Sequence, residues 1–152
     1  MAKFIFRLEA VLRARLAEER ARQLALGAIE RERAAIEDEI RGHQRAISTE
    51  REEMRERLAP GAPVHLRSVR LQANAALHAV ARAQQATLRL AGVHQRVEIA
   101  RRELLKATTR RKAVERLRER RLEEWGWEQK HAEAAALDEI MVMGAARRET
   151  ES

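Results

Sequence analysis

Both prolines of this 152-residue chain fall in one short segment, Ala59-Pro60-Gly61-Ala62-Pro63. A proline inside a helix costs about 3 kcal/mol, and the residue before each proline is pushed out of the helical region. Any helix that reaches this corner ends there, and no comparable break occurs on either side. The sequence predicts one helix over about residues 6–58, a turn over 59–64 and a second helix over about 65–143, with a frayed tail over 144–152. At about 1.5 Å per residue the two helices would measure about 80 Å and about 115 Å.

Apolar spacing supports this division. In the first arm Ile29, Ile36, Ile40, Ile47 and Met54 step by seven, four, seven and seven. In the second, Leu66, Val69, Ala73, Ala76, Val80, Ala83, Thr87, Leu90, His94, Val97, Arg101 and Leu104 alternate steps of three and four. That is heptad spacing, which keeps one narrow seam facing a partner helix. Thr, His and Arg interrupt the seam, and its phase shifts toward Val114 and Leu117, which reads as a stutter. Glu9–Arg13, Glu18–Arg22, Glu37–Arg41 and Glu53–Arg57 stand at the four-residue spacing that supports a helix by about 0.2–0.5 kcal/mol per pair. Neither arm buries its seam alone. The expected fold class is therefore all-α, an antiparallel two-helix coiled-coil hairpin with a longer second helix, forming one unit over residues 1–152. The competing arrangement is an intermolecular coiled coil. With the turn centred near Gly61, facing residue numbers would sum to about 123, and everything past about residue 120 would project beyond the first helix.

Composition excludes several functions. With no Cys there is no disulfide framework, no thiolate metal site and no thiol nucleophile. No apolar run approaches the roughly 20 residues that span a bilayer, and the apolar start is too short for a secretory signal. A cytoplasmic chain is expected. The six glycines are scattered singly, so no phosphate-cradling loop exists. The five histidines lack ligand spacing; His43 and His78 are the one pair that the hairpin would bring face to face, a weak metal signal. General acid–base work needs a dry pocket that shifts carboxylate pKa values, and two helices enclose none. The expectation is no catalytic residue, no cofactor, no metal and no small-molecule substrate: not an enzyme.

Charge and aromatic rings are segregated. Residues 1–58 carry 13 basic and 12 acidic side chains; Leu66 to Gln95 has four Arg and no acid; Arg96 to Arg121 has eleven basic and four acidic; Leu122 to Met143 has one Lys against six acids. The run Arg110-Arg111-Lys112 with Arg116, Arg118, Arg120 and Arg121 has the charge of a nucleic-acid footprint. It lacks interleaved aromatics and adjoins an acidic segment, so an acidic protein partner ranks ahead of nucleic acid. Phe4 and Phe6 at the start, and Trp125 and Trp127 near the end, would meet at the tip opposite the turn. There they would close the hairpin or anchor a partner, as exposed aromatics in a polar surface do. Gly126, between the tryptophans, offers a point where the helix could loosen ahead of Leu137-Asp138-Glu139-Ile140.

Phe4-x-Phe6-x-Leu8-x-x-Val11-Leu12, followed by a long Glu/Arg/Ala helix, resembles the start of FliJ-type proteins, the stalk subunits of the flagellar export ATPase. Arg110-Arg111-Lys112-Ala113-Val114-Glu115-Arg116-Leu117, and Glu128-Gln129-Lys130 followed by Leu137-Asp138-Glu139-Ile140, are similar to that family's second helix and C-terminus. Stalk proteins of virulence type III secretion would look alike. The resemblance implies an antiparallel coiled coil whose terminus-bearing end inserts into the hexameric export ATPase. It also implies contact with the membrane export gate, binding of export chaperones, and a cytoplasmic place peripheral to the inner membrane. The partner-binding residues expected are Phe4, Phe6, Arg110, Arg111, Lys112, Arg121, Trp125, Leu137 and Ile140. One departure is visible: some members carry bulky side chains soon after the turn, where this chain is Ala-rich around Ala75, Ala79 and Ala86.

Overall fold

The computed structural model describes residues 3–61 and 63–150. It contains α1 (Glu9–Arg57) and the longer α2 (Leu66–Thr150), paired antiparallel as a hairpin. α1 begins where the Glu9 amide donates to the Phe6 carbonyl at 3.1 Å, and ends with the Leu58 amide on the Met54 carbonyl at 3.0 Å. Gly61 then takes φ +90°, a left-handed value that glycine adopts without a Cβ penalty. The His65 carbonyl accepts the amides of Ser68 and Val69 and the Ser68 hydroxyl, which closes the first turn of α2. α2 continues to Thr150, past the expected end near residue 143, because Ala145, Ala146 and Arg147 are strong helix formers with no proline to stop them. It also runs unbroken through Gly126, so the expected loosening there does not occur. Ala62, Glu151 and Ser152, parts of the expected turn and tail, lie outside the described residues.

The chain divides into two compact units. One comprises residues 20–105, which include the turn, and the other residues 1–19 with 106–152. In the turn-bearing unit the core is a seam of Ile36, Ala86, Val93 and Val97, flanked by Leu26, Ile29, Ile40 and Leu90. In the terminal unit Leu12 and Ala107 are buried.

The seam of α2 runs one residue away from the expected line at alternate positions. Ala86 and Val93 are buried and Ala100 is partly covered, whereas Thr87, His94 and Arg101 are exposed. Leu66, expected at the seam, is 81% exposed. With Ala86, Val93 and Ala100 in place, Ala107 and Val114 follow at steps of seven without a phase shift, and no stutter is needed. The reason is steric as well as hydrophobic: alanine lets two backbones approach closely, and Val93 offers apolar area that His94 lacks.

The register also differs from expectation. Cross-helix partners in the turn-bearing unit are Glu53–Gln72, Glu39–Arg89, Glu32–Arg96, Glu30–Arg101 and Arg22–Glu103. In the terminal unit they are Glu19–Thr108, Glu18–Arg110 and Glu9–Arg118. Their numbers sum to 125–131 rather than 123. Helical side chains lean toward their own N-terminus, and in an antiparallel pair both leans raise the sum. Residue 43 therefore lies opposite 82–88, not 78, and His43 instead meets Glu39 at 3.4 Å.

The four expected Glu–Arg pairs within α1 do not form. Glu9 and Glu18 reach arginines of α2, Glu53 accepts from Gln72, Glu37 meets Arg33, and Arg41 turns to Asp38. A partner across the seam competes with one on the same helix: it takes Glu9 and Glu53, while Glu18 is shared between Arg15 on α1 and Arg110 on α2.

Candidate functional site

The terminal unit is built around a short non-helical strap. Residues 3–8 precede α1 and lie along α2, where they line an open groove of about 530 Å³ with Leu117, Arg121, Glu124, Trp125 and Glu128. The Phe4 ring sits on the Trp125 indole with centroids 6.0 Å apart and planes tilted by 56°, a geometry that suits two ring quadrupoles. Phe6 lines the same groove and is partly covered. Arg121 lines it too, with its guanidinium 2.9 Å from Glu124. The structure thus joins Phe4, Phe6, Arg121 and Trp125 at one place, as the sequence suggested. Trp127 does not join them: it is 68% exposed and stacks on His131 at 5.4 Å. Two residues along a helix turn a side chain by about 200°, so Trp125 and Trp127 cannot share a face.

Below the groove stands a polar ladder. Glu19 is buried, accepts the Thr108 hydroxyl at 2.7 Å and pairs with Arg111 Nε at 2.5 Å. Arg111 also donates to Glu115. The Thr108 hydrogen bond, with Arg111 behind it, holds the Glu19 carboxyl below its usual range against the opposing effect of burial. Glu18 is lowered as well, first by the hydrogen bond from Arg15 and then, against burial, by Arg110 at 3.1 Å. Glu115 raises the pKa of Arg111. Arg110 and Arg111, expected to bind a partner, also pair the two helices. Lys112 remains exposed. Composition showed the basic run, but not that three of its members, Arg110, Arg111 and Arg118, face carboxylates across the seam.

Past the groove α2 loses its partner. Every side chain from His131 to Met143 is exposed. Leu137 and Ile140 are 58% and 66% exposed, and Met141, Val142 and Met143 are equally open. The expected pair thus belongs to a larger apolar cluster, which sequence reading undercounted. Its signal was present: a run of unbroken apolar residues on a segment with nothing to pair with. No group of His, Asp or Glu among the described residues is placed to hold a metal ion, and no helix among them is long and apolar enough to cross a membrane.

The model of one protein family, described as the flagellar FliJ protein, matches residues 4–150. No curated protein and no solved structure matched. A match over nearly the whole length, on a hairpin with these two helices and this N-terminal strap, settles membership: the chain belongs to the flagellar FliJ protein family.

Proposed function

We propose that this flagellar export component is the non-enzymatic stalk of the type III export apparatus, with its terminal unit seated in the hexameric export ATPase. The observation that carries this reading is the terminal unit itself. A strap, an aromatic pair and an arginine form a groove, and beyond it an acidic, apolar-tipped stretch of α2 stands unpartnered. A lone helix exposing Leu137, Ile140 and Met141 in water is poorly stabilised by itself, since most helical stability in proteins comes from packing one apolar face. A ring lumen would supply that packing, and the charge segregation would steer entry. The stalk would also reach the membrane export gate and bind export chaperones, from a cytoplasmic position peripheral to the inner membrane. A nucleic-acid role is weakened because Arg110, Arg111 and Arg118 are spent on Glu18, Glu19 and Glu9. The virulence-system alternative is weakened by the flagellar family match.

The test is capture of the cognate export ATPase by the full chain. Capture should fall when Leu137 and Ile140 are replaced by Gln and should be abolished by removing residues 122–152. If the full chain leaves ATPase oligomerisation and turnover unchanged, the stalk reading fails.

A further inference from the structure

The two units close by different means. The turn-bearing unit has an apolar core of Ile36, Ala86, Val93 and Val97, with Leu26, Ile29, Ile40 and Leu90 packed against it. In the terminal unit the buried apolar side chains, among the described residues, are Leu12 and Ala107, and Leu16, Val114 and Leu117 are only partly covered. Its other pairings between helices are polar: Glu19 with Thr108 and Arg111, Glu18 with Arg110, and Glu9 with Arg118. The strap adds the ring contact of Phe4 with Trp125. Desolvation of a buried pair such as Glu19–Arg111 offsets most of its attraction, and solvent-open pairs such as Glu9–Arg118 hold weakly.

α1 also has a gap in its packing. Every side chain from Arg20 to Ala25 is exposed, so nearly two turns separate Glu19 from Leu26, the next covered residue. Local opening follows contiguous packed segments, and a stretch without packed side chains marks where one such segment ends. The gap therefore sets a boundary for residues 3–19, which ordinary fraying of a helix end would not have.

What this segment covers is basic. Arg96 to Arg121 carries eleven basic and four acidic side chains. Glu9, Glu18 and Glu19 stand against three of those basic residues, Arg118, Arg110 and Arg111. These carboxylates occupy the guanidinium groups that an acidic partner would use. The start of α1 thus takes the place of such a partner within the same molecule.

We propose that residues 3–19 form a clasp that opens from α2 as one unit, and that the closed clasp is an autoinhibitory cover withholding Arg110, Arg111 and Arg118 from acidic segments of other proteins. The proposal rests on pairing inside the terminal unit and not on seating in the ATPase, so the two can fail separately.

The test is native-state hydrogen exchange of the full chain, followed amide by amide. Amides from Arg13 to Glu19 should share one opening constant and open at least about tenfold more often than those from Ile29 to Ile40. Poly-L-glutamate at low ionic strength should raise exchange from Arg13 to Glu19 and leave Ile29 to Ile40 unchanged, because opening uncovers the arginines it binds. Glu19→Leu with Arg111→Met replaces the buried ion pair by apolar side chains and should slow exchange from Arg13 to Glu19 about tenfold or more, with helix content unchanged in circular dichroism. Protection that rises steadily from Arg13 to Ile40 would mean simple fraying and would overturn the clasp, as would equal protection of the two stretches. A poly-L-glutamate effect that is absent, or spread evenly over both stretches, would overturn the cover. Exchange in the double variant as fast as in the unaltered chain would show that the polar pairing does not set the opening, and would overturn the proposal as well.

Discussion

Val93 and His94 are neighbours, and the two possible seam phases assign them opposite roles. In the structure Val93 is 4% exposed within the core of the turn-bearing unit, and His94 is open to solvent. Val93→Ala removes two methyl groups that are almost wholly buried, worth about 1.6 kcal/mol at about 0.8 kcal/mol each. Alanine's higher helix propensity returns up to about 0.6 kcal/mol. A two-helix seam is open on its flanks and can close over part of the void, so the cavity contribution stays small. The net loss is about 1 kcal/mol. His94→Ala removes nothing from the seam and gains the propensity difference, so it should be neutral or stabilising by up to about 0.6 kcal/mol. Adjacent alanine substitutions should therefore differ by about 1.5 kcal/mol with opposite signs, or several degrees in melting temperature for a chain of this size. Urea denaturation followed by circular dichroism measures this directly. Equal effects, or a larger loss at position 94, would show that the seam runs through His94 and that the packing argument is mistaken.

Other expectations follow from the same geometry. Ala86→Leu places a large side chain at a position with no exposed surface and should cost about 1–3 kcal/mol by overpacking, read in the same denaturation assay. Gly61→Ala forces a Cβ into φ +90° and should cost about 1–2 kcal/mol without changing helix content in circular dichroism. The carboxyls of Glu18, Glu19 and Glu39 are held below their ordinary range, Glu39 chiefly by Arg89. Their contribution is thus fully present above the unfolded carboxylate value and is lost as pH falls through the lowered folded values. The denaturation midpoint should drop on acidification, and Glu19→Gln should flatten that dependence. Phe4→Ala removes a ring contact worth about 0.5–1.5 kcal/mol beyond its area. In a Trp127→Phe background the Trp125 fluorescence should shift toward the solvent-exposed value, and amides at Phe6 to Leu8 should exchange faster.

Much of the fold was legible along the chain because its determinants are local. Two prolines at one corner, helix formers elsewhere and heptad spacing are sufficient for two long helices that cover one another. The aromatic end was legible for the same reason: Phe4 and Trp125 sit where an antiparallel return must bring them. The Glu–Arg pairs within α1 were not legible, since spacing alone does not say whether a carboxylate turns along its own helix or across to another.

The helices, their corner and their family were determined by the sequence alone, through backbone chemistry that each residue carries with it. The phase of the seam was decided by tertiary structure. Shifting a stripe by one residue rotates it by about 100°, and the choice between Val93 and His94 is made by the packing against α1 in which Ala86 is fully buried. That rotation also decided which arginines pair with α1 and which remain free.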